Sequence, residues 1–229
     1  ELQGNAAGQY GRNFIANDDG VTDPNDWMDR DGHGTHCAGT IGATGNNNRG
    51  VLGVCHKIKL IPVKVLNDQG RGSLSGIISG MNYVTSLKIN NNVNVTVASA
   101  SLGGGGNCTW SMTSAASSMK LANISFVCAA GNDGKDNDQS PTLPSACSSV
   151  SVAAHNRSGQ PALSNTMFDF TNWGRSTVDV AAPGQDILST VPNGGYSIYD
   201  GTSMACPHVA GAVALLRTKF PSASATSVH

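Results

Sequence analysis

Apolar residues recur along this chain with two different periods. Over residues 73–88 they fall at Leu74, Ile77, Ile78, Met81, Val84 and Leu87, three and four apart, which predicts an amphipathic helix. A second helix is predicted over 112–122, through Met112, Ala115, Ala116 and Met119. Elsewhere the apolar residues come in short dense runs, at 59–66, 93–98, 124–129, 149–153 and 177–181. Such runs read as strands buried on both faces. Pro62 in the first of them hints at an edge or a bulge, because it has no N–H for a ladder. Strands alternate with helices, so the predicted class is α/β: a mostly parallel central sheet with helices on both faces. No internal repeat or low-complexity linker divides residues 1–229, and a single domain is expected.

The polar stretches mark the connections. Turns or loops are expected at 45–50, 67–72 and 191–195, all rich in Asn and Gly. The glycine run at 103–106 and Asn132 each follow a predicted strand. Ligands in open α/β sheets gather at the carboxyl ends of strands. The run is not a phosphate loop, since the Lys-Ser/Thr ending is absent. Its use would be bare backbone that a peptide can approach. Near the end, Gly201-Thr202-Ser203 leads from a loop into a small and apolar helical stretch over 204–216, with Thr202 as the expected N-cap. Pro207 falls in its first turns, where a missing N–H costs least. A hydroxyl there sees unpaired N–H groups and the positive end of the helix dipole, a setting suited to a developing oxyanion. For a lone serine, capping is the plainer reading. What argues against it is the rest of the chain.

Gly32-His33-Gly34-Thr35-His36 is the second marked stretch, with His33 expected at a helix start, facing a cleft. His36 lies one turn further on. Two histidines could hold a metal, but the zincin pattern needs a four-residue step with a glutamate between, and neither is present.

Composition narrows the classes. With 229 residues, 39% hydrophobic and 13% charged, the chain can bury a real core. The net charge of −1 carries no footprint for nucleic acid or an anionic membrane. No apolar run approaches membrane-spanning length, and residues 1–12 are too polar to read as a secretory leader. The six cysteines match no zinc spacing. Cys37, Cys128 and Cys206 sit among apolar or small residues and read as free buried thiols. Cys55, Cys108 and Cys147 lie nearer loops and are the disulfide candidates, with connectivity open. Sequons at Asn94, Asn107, Asn123 and Asn156 favour a secreted or secretory-pathway protein.

Three stretches now stand together: the one around His33, Ala129-Ala130-Gly131-Asn132, and Gly201-Thr202-Ser203-Met204-Ala205-Cys206-Pro207-His208. A base, an amide donor and a hydroxyl are the parts of acyl transfer. In these stretches and in their order the sequence resembles the subtilisin-like serine proteases, peptidase family S8, over nearly its whole length. The resemblance implies that family's three-layer fold and serine endopeptidase activity. It implies His33 as general base, Ser203 as nucleophile, and Asn132 as oxyanion-hole amide acting with the Ser203 N–H. Ser101-Leu102-Gly103 is similar to the family's substrate-pairing strand, Gly70-Arg71-Gly72 to the opposite strand of the cleft, and Gly131 to its adjoining wall, so that a peptide is held by strand addition. His36 and His208 match structural positions. Asn47 lies in a turn resembling a calcium loop, so a structural calcium is implied and no cofactor for catalysis. The partners implied are polypeptide substrates and an inhibitory propeptide, for a monomer that binds neither nucleic acid nor membrane.

One part is missing from the pattern. The family's triad aspartate ends an apolar strand well before the histidine, and no such motif occurs here. Asp18, Asp19, Asp23, Asp26, Asp29 and Asp31 all lie in polar, turn-like sequence. The expectation is therefore a piece of a longer chain, starting just downstream of the missing strand and stopping at 226–229, where another helix should begin. Without that carboxylate, turnover is expected to fall by about 10⁴. If full activity were found, Asp18, Asp19 and Asp29 would be the first candidates. The competing class is a pseudo-protease that binds peptides without cutting, against which His33, Asn132 and Ser203 argue together. The Gly-x-Ser-x-Gly elbow of other serine hydrolases is absent around Ser203. Few charges lie near 103–106 and Asn132, which leans towards apolar or aromatic side chains before the cut bond.

Overall fold

The computed structural model describes residues 1–15, 23–161 and 170–228. In chain order the main elements are β1 (Arg12–Asn13), α1 (His33–Gly42), β2 (Val63–Lys64), α2 (Leu74–Ile89), β3 (Val97–Ala100), β4 (Gly104–Gly105) and α3 (Trp110–Leu121). There follow β5 (Ser125–Ala129), β6 (Thr142–Leu143), β7 (Val150–His155), β8 (Val180–Pro183), β9 (Ile187–Val191), β10 (Gly195–Tyr199) and α4 (Thr202–Lys219).

The central sheet has the order β3-β5-β7-β8, and every pair is parallel, with Val97 opposite Ser125, Val127 opposite Val150, and Val152 opposite Val180. Strand β5 explains the layering. All of its residues are buried, and their side chains alternate between faces. Phe126 and Cys128 enter a core with Met81 of α2 and Met112, Ala116 and Met119 of α3. Val127 and Ala129 enter a second core with Ala205, Cys206 and Ala210 of α4. Each fully buried methionine contributes about 1.5–3 kcal/mol by leaving water. The result is the three-layer α/β fold expected from the apolar pattern. No described helix is long and apolar enough to cross a membrane.

The helix starts are capped by side chains in α2 and α3: Ser73 accepts from the Gly76 N–H at 3.0 Å and Thr109 from the Met112 N–H at 3.3 Å. At their other ends the helices carry cations, Lys88 on α2, Lys120 on α3, and Arg217 and Lys219 on α4. Helix C-termini attract positive charge. Arg217 is buried and binds the Asn123 side chain and carbonyl, both at 3.1 Å, while Lys88 Nζ reaches the same carbonyl at 3.2 Å.

Several expectations need correction. The run at 59–66 is strand only at β2, which pairs in parallel with β1 outside the central sheet. Pro62 cannot donate, and its carbonyl accepts from Arg12 N at 3.2 Å instead. The turn at 191–195 is the tip of an antiparallel hairpin, β9–β10, whose strands were not anticipated. Asn193 and Gly194 both take positive φ there, 64° and 77°, as a tight hairpin tip demands. Cys108 and Cys147 are joined, across a separation of 39 residues, but Cys55 is a free buried thiol like Cys37, Cys128 and Cys206.

Candidate active site

Ser203 is the second residue of α4. The N-cap is Gly201, at φ 150°, and not Thr202, whose side chain has another task. Pro207 leaves the carbonyl four residues back, that of Ser203, without its helical N–H. That carbonyl is taken instead by the Ser101 hydroxyl at 2.8 Å and the Cys37 thiol at 3.4 Å. In the other direction, Ser203 Oγ points at the Ser101 carbonyl, 3.4 Å away. The end of β3 and the start of α4 are thus tied together at the hydroxyl.

His33 opens α1 after Gly32, whose φ of 108° needs no side chain. Of the free N–H groups at that helix start, that of His33 goes to Asp31 Oδ2 at 3.1 Å and that of Thr35 to Asp29. Its carboxylate accepts from Gly32 N at 2.8 Å, Asp31 N at 3.1 Å, Thr35 N at 2.7 Å and Thr35 Oγ1 at 2.6 Å. Burial pushes the Asp29 carboxyl up, but the bonds from Thr35, Gly32 and Asp31 outweigh it and hold it below the usual carboxylate range. Burial lowers the pKa of His33, and the charges of Asp31 and Asp29 offset this only in part. The imidazole is therefore neutral and basic at neutral pH. Its Nε2 lies 4.0 Å from the Cys37 sulfur that also touches the Ser203 carbonyl, so His33 and Ser203 flank one thiol. Burial pushes that thiol up to about 12, which keeps it protonated and inert. Among the described residues no carboxylate is hydrogen-bonded to the His33 ring. Asp26 pairs with Arg30 at 2.7 Å, Asp23 folds onto Asn25, and Asp18 and Asp19 lie outside the described residues.

His36, one turn on, is fully buried. Its Nε2 donates to the carbonyls of Ile187 and Ser197 at 3.0 and 3.1 Å, and its ring stacks on Tyr199 at 4.4 Å. It fastens α1 to the β9–β10 hairpin.

Asn132 follows β5 by way of Ala130 and Gly131. Its Oδ1 accepts from both Thr202 N and Thr202 Oγ1 at 2.8 Å, and Thr202 Oγ1 accepts from Gly131 N at 3.1 Å. A Cβ built on Gly201 would lie 3.5 Å from both Asn132 Nδ2 and Ser203 N. The two nitrogens therefore lie near one point that Gly201 leaves without a side chain. Sequence reasoning read Thr202 as a cap and missed this clamp. It also missed Asn172, Asn137 and Thr142, which underlie the Asn132 turn; polar residues outside any motif gave no signal.

The cleft segments are placed unevenly. Ser101, Leu102 and Gly103 continue from β3, and the methyl of Thr142 lies 3.1 Å from a Cβ position on Gly103 and 3.3 Å from one on Gly131. Gly70, Arg71 and Gly72 form an exposed loop, folded around buried Asn67, whose Oδ1 accepts from Arg71 N at 2.9 Å. Among the described residues no hydrogen bond joins this loop to 101–103. His208 Nδ1 bonds the Met204 carbonyl at 2.8 Å, within α4. Asn47 lies in the turn after α1, its Oδ1 accepting from Arg49 N at 3.1 Å.

Comparison with known proteins bears on the family and the fold. The Subtilase family profile matches residues 2–229. An intracellular serine protease of Paenibacillus polymyxa is 42% identical over 210 residues, 90% of this chain and 59% of that protein. A cuticle-degrading protease of Metarhizium anisopliae is 44% identical over 191 residues, 82% of this chain and 45% of that protein. An alkaline serine exoprotease A of Vibrio alginolyticus is 38% identical over 227 residues, 98% of this chain and 38% of that protein. The chain thus spans from 38% to 59% of the length of these relatives. Among solved structures, a cold-adapted subtilisin-like serine proteinase matches with a TM-score of 0.76 at 35% identity, covering 96% of this chain and 72% of that one. Proteases from Pseudoalteromonas arctica match with a TM-score of 0.81 at 32% identity, covering 95% of this chain and 74% of that one. By its motifs, its three-layer fold and these matches, the chain belongs to the subtilase family of serine proteases.

Proposed function

We propose that this protein is a serine endopeptidase working through an acyl-enzyme at Ser203. The observation that carries the reading is the pair of donors, Asn132 Nδ2 and Ser203 N, bordering one space at the start of α4. His33 takes the proton of Ser203 Oγ as the oxygen attacks the scissile carbonyl. The carbonyl oxygen gains charge and is stabilised by the two donors and the helix end. His33 then gives its proton to the leaving amine, and water, deprotonated by the same imidazole, releases the acid. The substrate backbone lies along 101–103, with 70–72 opposite and Gly131 at the wall. The Cys108–Cys147 disulfide supports an oxidising compartment and so a secreted protein. A fluorophosphonate probe tests the core of this reading. It labels the protein but not Ser203→Ala; equal labelling of both would sink the assignment.

A second reading, a peptide-binding module that does not cut, draws on one observation: no described carboxylate orients His33. It expects peptide binding with no labelling of Ser203.

A structural calcium is proposed at the turn carrying Asn47. Beside that turn Glu1 Oε2 is buried without a hydrogen-bond partner, while Glu1 Oε1 accepts from Tyr196 at 2.8 Å and the Glu1 carbonyl from Thr44 Oγ1 at 2.8 Å. An orphaned carboxylate oxygen suits a hard cation. The ion would brace the turn and take no part in the reaction.

A further inference from the structure

The turn that carries Asn132 is not held by Thr202 alone. Residues 130–135 leave the end of β5, and beyond Ala130 N, which donates to the Val152 carbonyl, their backbone groups have no partner strand in the central sheet. Buried groups of that kind must find partners elsewhere. Gly131 N finds Thr202 Oγ1 and Gly134 N the Phe170 carbonyl, and three more of these groups meet one side chain. Asn172 is fully buried, and its Oδ1 accepts from Asp133 N at 2.8 Å and Lys135 N at 3.1 Å. Its Nδ2 faces the Ala130 carbonyl at 3.1 Å, Asn137 Oδ1 at 3.1 Å and Thr142 Oγ1 at 3.2 Å. Its own backbone N–H donates to the Gly131 carbonyl at 2.9 Å. One amide thus reaches both sides of Asn132, the turn before it and the turn after it.

Gly131 completes the fit. Its φ is 110°, and a Cβ there would overlap Asn172 Nδ2. The glycine lets the amide come up against the backbone, directly beside the oxyanion donor. Asn137, itself buried, adds a bond to the same Ala130 carbonyl at 2.8 Å.

We propose that Asn172 is a positioning residue for the oxyanion hole: its buried carboxamide sets the 130–135 turn so that Asn132 Nδ2 and the Ser203 N–H meet the same oxygen. The proposal rests on the endopeptidase reading above. Asn172 touches no substrate; it acts through Asn132. A donor must sit within a few tenths of an ångström of the oxyanion to be effective, and small misplacements cost up to about 10²-fold in rate. Thr202 fixes Asn132 from the side of the serine helix, and Asn172 fixes it from the side of the sheet.

The test is a double-mutant cycle with Asn132→Ala. Asn172→Asp keeps the shape and the acceptor for Asp133 and Lys135, but loses the donors towards Ala130, Asn137 and Thr142. Asn137→Asp removes a donor from the same Ala130 carbonyl and serves where the first variant does not fold, as judged by circular dichroism at the assay temperature. Either change is expected to lower kcat by about tenfold to 10²-fold with KM within about twofold. The affinity of a peptide boronate, which makes an oxyanion, falls with kcat, while that of a product peptide holds. In the Asn132→Ala background the same change costs little more, because the donor it aims is gone. Additive losses, or a rise in KM alone, would overturn the positioning role while leaving the endopeptidase reading intact. Wild-type kcat in Asn132→Ala itself would remove the oxyanion reading and this inference with it.

Discussion

The Ser101 hydroxyl stands 2.8 Å from the Ser203 carbonyl, doing the work of the N–H that Pro207 lacks. A helix that begins at the proposed nucleophile needs its first turn rigid, and a proline there would leave that turn open. Ser101→Ala therefore destabilises the fold by about 1–3 kcal/mol and slows labelling of Ser203. Adding Pro207→Ala restores a helical N–H, and the penalty for losing the Ser101 hydroxyl shrinks in that background. Thermal melts of the four proteins check this; equal penalties in both backgrounds would disprove the substitution of one donor for the other.

Asn132→Ala is expected to leave peptide KM nearly unchanged and to cut kcat by about 10²–10³, the loss established for the corresponding asparagine of subtilisin itself. Steady-state kinetics decide. A raised KM with kcat intact would mean that Asn132 binds substrate and does not stabilise the oxyanion.

The pH dependence has a defined sign. Burial lowers the pKa of His36, and its Nδ1 has no partner to receive a proton's hydrogen bond. The folded state thus binds fewer protons than the unfolded chain, so stability rises with pH through this window. The contribution is complete above the unfolded value of about 6.5 and is lost as the pH falls below it, towards the lowered folded value. His36→Gln keeps a donor for the Ile187 and Ser197 carbonyls, and its melting temperature should fall less steeply between pH 7 and pH 5. An unchanged slope would show that His36 is not the group responsible. His33 is lowered in the same direction, so activity persists to a pH below the ordinary histidine value.

Arg217 holds Asn123 at the far end of α4 from Ser203. Arg217→Ala takes one donor each from the half-buried Asn123 amide and carbonyl, which keep Ala225 N and Lys88 Nζ, and should cost about 1–2 kcal/mol in urea unfolding. Turnover by the folded enzyme is expected to be unaffected. A drop in kcat without a change in stability would contradict this.

Calcium should raise the melting temperature of the protein, and less so that of Asn47→Ala. An equal rise in both would remove the turn as the binding place.

Much of this was legible from periodicity. The α2 and α3 stripes and the dense runs at β5 and β7 are what a helix seam and doubly buried strands require. The β9–β10 hairpin was not legible, because its buried side is polar. Ser189 and Thr190 are buried and donate to the backbone carbonyls of His36 and Thr35 at 2.8 and 2.9 Å, so they break the apolar alternation that marks a strand. The proposed site residues stand in motifs, and each sits where a glycine and a helix start or strand end coincide. Their supports could not. Asn172 and Thr202 act through contacts 42 and 70 positions away in sequence from the residues they hold, and such pairings leave no local pattern. Cys55 misled because proximity to a loop does not bring two sulfurs within bonding distance.

The helix ends described above divide the molecule. Ser203 and His33 lie at helix starts, and Lys88, Lys120 and Arg217 at helix finishes. On α4 the proposed nucleophile and the buried Arg217 therefore occupy opposite poles of one helix. Exchanges at the finish of this helix can alter stability while leaving the hydrogen bonds at its start untouched.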